Sequence, residues 1–380
     1  MFWQREVLRT GVGMTFNQTY ELDLPKTGIL GSLVLYIRST ENGEVFGTAR
    51  KWRLIDYISK IEIVPDGGSP IKSYDGRQAL ASAYHDDLVL ASSMWATFNS
   101  VPHRQVIPIN FGRRLMDEEY NLDLSRFNQV TLKVTNDATS TQFTTDIDID
   151  VVAYWLREAQ PAMRGYFKEE EWHVWAPAAG AIEYNDLPTL LPIRRILLRA
   201  RPGVNTGPIR NVSSMARLMS EIDFTLRTGQ TRVYVGSLEQ LGRLSILELG
   251  RYAESLTQVM RNDEEGYDVG VGYVEHGLVA EASSTTTPSA TSSVGGSHIQ
   301  DSVQEVKAKT VDQPLQGFWQ GYGMLHNVPL FDARRPGLDD MLDPDRDKTI
   351  KLNITCQSGT TVAGTGVNAE NAIILSRLMR

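Results

Sequence analysis

Apolar and polar residues alternate along this chain in short runs, which are separated by glycine, proline, asparagine and aspartate. Residues 129–135 (QVTLKVT) and 146–151 (DIDIDV) are two such runs, and a period of two residues is typical of a half-buried strand. Asp75 and Ser237 each precede a glutamine by three residues, which is the spacing of a capping box at a helix start. The pattern predicts many strands and two well-marked helices.

The predicted elements occur twice in the same order, which indicates an internal repeat. Matches at offsets of 161 to 163 residues are Leu24-Pro25 with Leu187-Pro188, residues 59–63 with 220–224, and Gly67, Ile71, Asp75 and Gln78 with Gly229, Val233, Ser237 and Gln240. At an offset of 220 residues, Phe111, Arg114, Leu122, Asp123, Arg126, Val130, Leu132, Val134 and Thr135 match Phe331, Arg334, Leu342, Asp343, Arg346, Ile350, Leu352, Ile354 and Thr355. The conserved order of these matches makes chance similarity a poor explanation.

The repeat sets the predicted domain boundaries. We expect an N-terminal segment at residues 1–14, a first repeat at 15–157, a linker at 158–182 and a second repeat at 183–380. The change of offset from 162 to 220 gives the second repeat 58 additional residues, so we place an inserted loop at about 262–318.

Composition refines two of these segments. Residues 283–297 (SSTTTPSATSSVGGS) are too polar to bury and too rich in Ser, Gly and Pro for a regular element, so they are predicted to form a surface loop. The linker carries Tyr166, Phe167, Trp172 and Trp175, and this aromatic content predicts that it packs against the protein.

Each repeat is predicted to be a β-sandwich with one helix, so the fold class is all-β with two tandem jelly rolls. A length of 380 residues suits two domains better than one. Jelly rolls occur in viral capsids, lectins and cupins, and the fold alone does not choose among these functions.

The layout resembles one family. Two fused jelly rolls, a helix in each, a longer loop in one copy and a short N-terminal segment are similar to the double jelly-roll major capsid proteins of tailless icosahedral, membrane-containing viruses, the lineage that includes adenovirus hexon. The resemblance implies a homotrimer whose six jelly rolls form a pseudo-hexameric capsomer in the virion. It also implies contacts with neighbouring capsomers and with minor capsid or penton proteins, an internal membrane facing the base, and assembly in the host cytoplasm.

Charge and cysteine content agree with that role. The formal net charge is −8 and the pI is about 5.4, which argues against a surface that binds nucleic acid directly. The single cysteine, Cys356, has no partner for an intrachain disulfide, as expected for assembly in a reducing compartment, and it is predicted to be a small buried residue in a strand. No run of about 18 apolar residues predicts a membrane span, and residues 1–6 lack the layout of a signal peptide.

Several candidate chemical sites have a simpler interpretation. Asp146, Asp148 and Asp150 share one strand face and could bind a hard cation such as calcium, but they are also the expected solvated face of that strand. The six histidines are scattered, without the two-residue spacing of a cupin metal site: His85, His103, His173, His276, His298 and His326.

Two further motifs are assigned no chemistry. His85-Asp86-Asp87 is predicted to be the polar end of a helix, and Gly11-Val12-Gly13 and Gly270-Val271-Gly272 are predicted to be turns because they lack the lysine and helix of a phosphate site. The sequence therefore predicts no catalytic, cofactor-binding or metal-binding residues, and no enzyme activity.

Two groups of residues are candidates for contacts in an assembly. Arg113-Arg114 and Arg334-Arg335 occupy matching or adjacent positions in the two repeats and either bridge neighbouring capsomers or lie in solvated turns. The N-terminal aromatic and basic residues suit either a membrane surface or packing beneath a neighbouring subunit: Phe2, Trp3, Arg5 and Arg9.

The alternative function is a carbohydrate-binding or carbohydrate-hydrolysing double jelly-roll protein. It would place two carboxylates in an aromatic groove. The seven tryptophans leave this alternative open, but they do not occupy repeated positions: Trp3, Trp52, Trp95, Trp155, Trp172, Trp175 and Trp319.

Overall fold

We describe a computed structural model of the chain. It describes residues 1–40, 54–89, 91, 93–94, 102–140, 143–158, 163–201, 218–249, 252–260, 267–268, 276–281, 305–306, 313–321, 324–333, 341–357 and 369–380. The low-complexity stretch 283–297, the glycines of 270–272 and the pair Arg334-Arg335 lie outside these residues.

Strands dominate the described residues. In chain order they are β1 (Phe2–Met14), β2 (Thr19–Asp23), β3 (Ile29–Thr40), β4 (Ile58–Pro65), β5 (Lys72–Tyr74), β6 (Ser93–Met94), β7 (Pro102–Asn110), β8 (Leu122–Asp123), β9 (Val130–Asn136), β10 (Ile147–Arg157), β11 (Tyr166–Trp175), β12 (Ile182–Asp186), β13 (Ile193–Arg201), β14 (Glu221–Leu226), β15 (Thr231–Gly236), β16 (Tyr252–Met260), β17 (Tyr267–Asp268), β18 (His276–Glu281), β19 (Glu305–Val306), β20 (Gln313–Gly321), β21 (Asn327–Asp332), β22 (Ile350–Thr355) and β23 (Glu370–Met379).

Both predicted capping boxes form. The longer helices are α1 (Gly76–Asp87) and α2 (Leu238–Leu249). Asp75 accepts from the Gln78 N–H at 2.7 Å, and the Gln78 side chain accepts from the Asp75 N–H at 2.9 Å. Ser237 and Gln240 exchange the equivalent bonds at 3.2 and 3.0 Å. Each helix start is therefore encoded locally.

The remaining helical elements are short. They are α3 (Pro344–Asp347) and two 3₁₀ turns at Leu54–Tyr57 and Leu124–Arg126. Among the described residues, no helix is both long enough and apolar enough to cross a membrane.

Contacts divide the chain into two compact units. Unit 1 comprises Met1–Val45, Arg53–Glu171 and Ile374–Arg380, and unit 2 comprises Phe46–Trp52 and Trp172–Ile373. The end of β23 therefore belongs to unit 1, whereas the sequence-based boundaries place it in the second repeat. The exact domain boundaries stay a prediction.

Unit 1 is a sandwich of two sheets. One has the order β1-β10-β3-β7-β6, with β8 paired to β3, and the other contains β2-β9-β4-β5. The strands bury alternate residues, so that one side of each sheet faces the core. Fully buried residues of this core include Leu33, Leu35, Ile37, Ile61, Ile63, Leu132, Val134, Ile149 and Val151.

Unit 2 repeats this wiring. Its sheet β12-β22-β14-β15 corresponds to β2-β9-β4-β5, and the strand order β11-β23-β13-β21 corresponds to β1-β10-β3-β7. The unit 2 core includes Ile196, Leu198, Ala200, Ile222, Phe224, Val328, Leu352 and Ile354. Each unit thus has two sets of four strands wired in the same order, to which unit 1 adds β6 and β8, so the chain is a double jelly roll and the predicted fold class is confirmed.

Strand registers match residue by residue at the offsets found in the sequence. The equivalent pairs are Thr19↔Thr135 and Ile182↔Thr355, Ile61↔Val134 and Ile222↔Ile354, Ile63↔Lys72 and Phe224↔Tyr234, and Leu30↔Leu122 and Ile193↔Leu342. Positions in one repeat can therefore be compared directly with their equivalents in the other.

Candidate assembly surface

A buried ion pair fixes the first half of β11 to the edge of β5 in unit 1. Lys72 Nζ lies 2.9 Å from Glu169 Oε2, and both side chains are buried. The Ser82 hydroxyl, on α1, donates to Glu169 Oε1 at 2.8 Å. The backbones of the two strands are also paired at this point. Glu169 lies opposite Lys72 in a parallel register, and the Glu169 N–H donates to Ile71 O at 2.9 Å. One carboxylate thus joins a strand, a helix and the predicted linker.

Sequence reasoning missed this cluster. In residues 168–171 (KEEE), Glu169 has the pattern of a solvated charge run, and Lys72 is one polar residue beside a turn. Of the four linker aromatics that predicted packing, Tyr166 and Phe167 are buried, whereas Trp172 and Trp175 are half-buried. That packing was the available signal that neighbouring charges would be buried with them.

The equivalent surface of unit 2 is exposed and apolar. Ile71, Ser73 and Ser82 of unit 1 are 2%, 9% and 3% exposed. Their equivalents at an offset of 162 are Val233, Val235 and Leu244, which are 42%, 47% and 51% exposed. Leu247, one turn further along α2, is also exposed. We call Val233, Val235, Leu244 and Leu247 the β15–α2 patch. Val233 and Val235 lie two residues apart on one face of β15, and Leu244 and Leu247 lie three residues apart on α2, so each pair exposes apolar side chains side by side, which is typical of an interaction surface.

Strand β12 shows the same contrast with its equivalent, β2. Both strands have the same burial pattern. The outward positions are Thr19 and Glu21 in β2, but Ile182 and Tyr184 in β12. Unit 2 therefore carries apolar residues at positions where unit 1 carries polar ones.

The N-terminal segment is a strand of unit 1. β1 pairs with β10 from Phe2↔Arg157 to Met14↔Ile147 and lies at the end of its sheet. The Trp3 ring packs on Gly31, where a β-carbon would collide with it, and Arg5 lies 5.4 Å from the centre of the Tyr154 ring. Phe2 and Val7 remain exposed. Among the described residues, the outer edge of β1 carries no strand.

The glycines at 11–13 form a bulge rather than the predicted turn. Strand β1 continues to Met14, with a register shift between Arg9 and Val12. Gly11 has φ of +61°, which is the left-handed conformation that a bulge requires and glycine readily adopts. The turn prediction was wrong because glycine is common in β-bulges as well as in turns.

Two of the three aspartates near the start of β10 contact an arginine. Arg38 lies 3.2 Å from Asp148 Oδ2 and 2.9 Å from Asp150 Oδ2, and the Gly11 N–H donates to Asp150 Oδ1 at 2.5 Å. Asp146 lies near Gly13. In the described ranges, no group of three or more His, Cys, Asp or Glu residues is arranged to hold a metal ion. Cross-strand ion pairs account for Asp148 and Asp150.

His85-Asp86-Asp87 lies at the end of α1, as predicted, and organises the chain after β7. Asp87 accepts from the Leu115 N–H at 2.8 Å and from Asn110 Nδ2 at 3.0 Å, while His85 packs edge-on against Tyr84. These contacts are structural.

Arg113 forms an ion pair within unit 1. Its guanidinium donates to both oxygens of Asp117 at 2.7 and 2.9 Å, lies 3.0 Å from Glu119, and stacks 4.8 Å from the Tyr120 ring centre. Burial raises the pKa of Asp117, but hydrogen bonds from Arg113 and from the Glu119 and Arg113 N–H groups outweigh it, so the pKa lies below its usual 3.8. Arg114 is exposed and remains available for contacts with neighbours.

We expect Asp117→Asn to lower the free energy of unfolding by about 2 kcal/mol at neutral pH, because a buried charged acceptor is lost. A lowered pKa stabilises the folded state above the unfolded pKa, and this contribution disappears as pH falls through the folded pKa. The difference from the unmodified protein should therefore shrink in denaturant titrations below about pH 4. Glu118→Gln, at an exposed neighbour, is the control. A difference that stays constant down to pH 2 would contradict the proposed ion pair.

The remaining aromatic, histidine and cysteine residues that the structure describes lie in separate places. Trp155 is buried in unit 1, and His173 stacks on Trp175 at 5.2 Å in unit 2. Cys356 is buried as predicted, and burial raises the pKa of its thiol. Trp52, Trp95 and His298 lie outside the described residues, and the side chains of Trp319 and His276 are likewise not described.

Comparison with solved structures identifies similar folds over the whole chain. The major capsid protein of STIV has a TM-score of 0.59 at 10% identity, covering 99% of this chain and 96% of that one. The PBCV-1 virus capsid has a TM-score of 0.52 at 10% identity (99% and 93%), and the major capsid protein P2 from bacteriophage PM2 has 0.50 at 8% identity (100% and 98%). No family model and no curated protein matches the sequence. At these identities the comparisons establish a shared double jelly-roll fold.

Proposed function

We propose that this chain is the structural major capsid protein of an icosahedral virus. The observation that carries the proposal is a double jelly roll that matches major capsid proteins over 99–100% of its length, at TM-scores of 0.50 to 0.59. The likeness covers both repeats and the linker, so it concerns the tandem arrangement rather than one common domain.

The proposed assembly unit is a homotrimer that forms a pseudo-hexameric capsomer in the virion. Exposed apolar residues of β12 and of the β15–α2 patch support self-association, because a monomer gains nothing by exposing them. Neighbouring capsomers, minor capsid or penton proteins and an internal membrane at the base are the proposed further partners. The predicted jelly rolls, at 15–157 and 183–380, are the two lobes that each chain contributes.

We propose no enzyme activity and no cofactor. The charged clusters of the described residues hold strands and loops together, as the Lys72–Glu169 and Arg113–Asp117 pairs do. A net charge of −8 favours soluble free capsomers and disfavours direct binding to a genome. Virion localisation, with assembly in the host cytoplasm, completes the proposal.

The test is native mass spectrometry and single-particle electron microscopy of the purified protein. We expect a mass of three chains, close to three times 42.5 kDa, and particles with a six-lobed outline. A monomer or dimer at all concentrations would contradict the proposal. If such a particle also bound oligosaccharides on a glycan array, the carbohydrate-binding alternative would replace it.

A further inference from the structure

Unit 1 receives its outer strand from β11. The strand orders place β1 and β11 in equivalent positions. β1 lies beside β10, the last strand of the first jelly roll, and β11 lies beside β23, the last strand of the second. β11 also pairs in parallel with β5 and covers Ile71, Ser73 and Ser82. The part of β11 that lies in unit 1 thus covers the β5 edge.

The equivalent edge in unit 2 carries no strand among the described residues. β15 corresponds to β5 and lies at the end of its sheet. The positions that β11 covers in unit 1 become the β15–α2 patch in unit 2, where polar Ser73 and Ser82 are replaced by Val235 and Leu244. An open strand edge beside apolar residues is suited to pairing with another strand.

Among the described strands, β1 is the other strand of the β11 type. β11 is already paired with β5, whereas the outer edge of β1 is unpaired in the described part of the chain. The offset of 163 that relates β2 to β12 places Glu6 at Glu169 and Val7 at Glu170. Val7 is 59% exposed, so it presents an apolar side chain where β11 has a charged one.

The facing of side chains supports this alignment. Glu6 pairs with buried Ala153 in β10, so its side chain leaves the strand on the same face as Ala153, although it is 44% exposed and lies 3.8 Å from Arg157. Val7 pairs with half-buried Val152, on the opposite side. The register Glu169↔Lys72 and Glu170↔Ser73 then becomes Glu6↔Tyr234 and Val7↔Val235.

We propose that β1 of one copy pairs in parallel with β15 of a second copy, with Val7 beside Val235, and covers the β15–α2 patch. This inference rests on the proposed trimer and names its contact. The contact joins two different surfaces, so it is head-to-tail, and three such contacts close a ring. Each β5–β11 pairing within a chain then alternates with a β15–β1 pairing between chains.

The test is disulfide cross-linking of the full chain with Val7→Cys and Val235→Cys. Under mild oxidation by copper phenanthroline, we expect the double variant to migrate as dimers and trimers on non-reducing gels and as a monomer after reduction. When the two single variants are mixed before assembly, up to about half of the chains should form one dimer species, because each mixed ring of three contains one matching contact. Either variant alone should give none, because Cys356 is buried. Val7→Cys paired with Leu190→Cys, at an exposed site outside the patch, is the matched control.

The outcomes separate this inference from the proposed function. A trimer by native mass spectrometry without the 7–235 cross-link would overturn the strand pairing and leave the capsid proposal standing. A disulfide within one chain, or protection of Leu244 from solvent in a monomer, would mean that a segment of the same chain covers the patch and would also overturn it. A dimer of Val7→Cys alone would indicate a symmetric β1–β1 contact and contradict the ring.

Discussion

Glu169→Ala is expected to lower the free energy of unfolding by about 3–5 kcal/mol, because it leaves the Lys72 ammonium buried without its counter-charge. The side chains of Lys72 and Glu169 are 1% and 4% exposed, so water cannot replace the lost carboxylate. Ser82 would lose its acceptor as well. Denaturant unfolding followed by tryptophan fluorescence measures the effect, and the half of β11 that belongs to unit 1 should lose hydrogen-exchange protection first.

Two controls test the cause. Lys72→Met combined with Glu169→Leu removes both charges at similar volume and should recover most of the stability, since a buried ion pair contributes little compared with apolar packing. The exposed pair Lys133 and Glu21 also joins two strands, at 2.7 Å, but Glu21→Ala should leave stability almost unchanged. If Glu169→Ala were as mild as Glu21→Ala, the buried pair would not anchor β11.

Gly165→Ala is expected to destabilise the protein by about 2–5 kcal/mol, the sum of backbone strain and overpacking. Gly165 has φ of +133°, and a β-carbon there would collide with the Met379 carbonyl oxygen. The Gly165 carbonyl accepts from the Asn121 N–H at 2.9 Å, so the backbone has little freedom to move away. The substitution should loosen the residues of β23 that lie in unit 1, which limited proteolysis near the C-terminus can detect.

Gly67→Ala is the matched control for this substitution. Gly67 also has positive φ, +66°, but an added β-carbon would meet nothing within 4 Å. Its cost should be the strain alone, about 1 kcal/mol. Equal effects of the two substitutions would show that the contact with Met379 is unimportant.

The sequence predicted those features whose signals are local or repeated. The capping boxes at Asp75 and Ser237 depend on four consecutive residues, and both form. Matched offsets predicted the internal repeat, and in the structure equivalent residues keep their strand partners in both copies. These features needed no knowledge of distant contacts.

The features that sequence reasoning missed depend on partners far along the chain. Lys72 and Glu169 are separated by 97 residues, and neither has a local pattern that predicts burial. The N-terminal segment appeared separate because residues 1–14 precede the first repeated match, yet β1 pairs along its length with β10. The β15–α2 patch became visible only when the exposures of equivalent positions were compared.

The division of the chain into units has a consequence for biosynthesis. Unit 1 contains the first strand, β1, and also Ile374–Arg380. A ribosome releases the N-terminal residues long before it has translated these last ones, so the first jelly roll cannot acquire all of its contacts while the second is still being made. Co-translational folding normally completes an N-terminal domain first. In this protein, Gly165 packs against Met379 and Glu170 pairs with Arg377. Gly165 and Glu170 therefore remain accessible to chaperones until Met379 and Arg377 leave the exit tunnel.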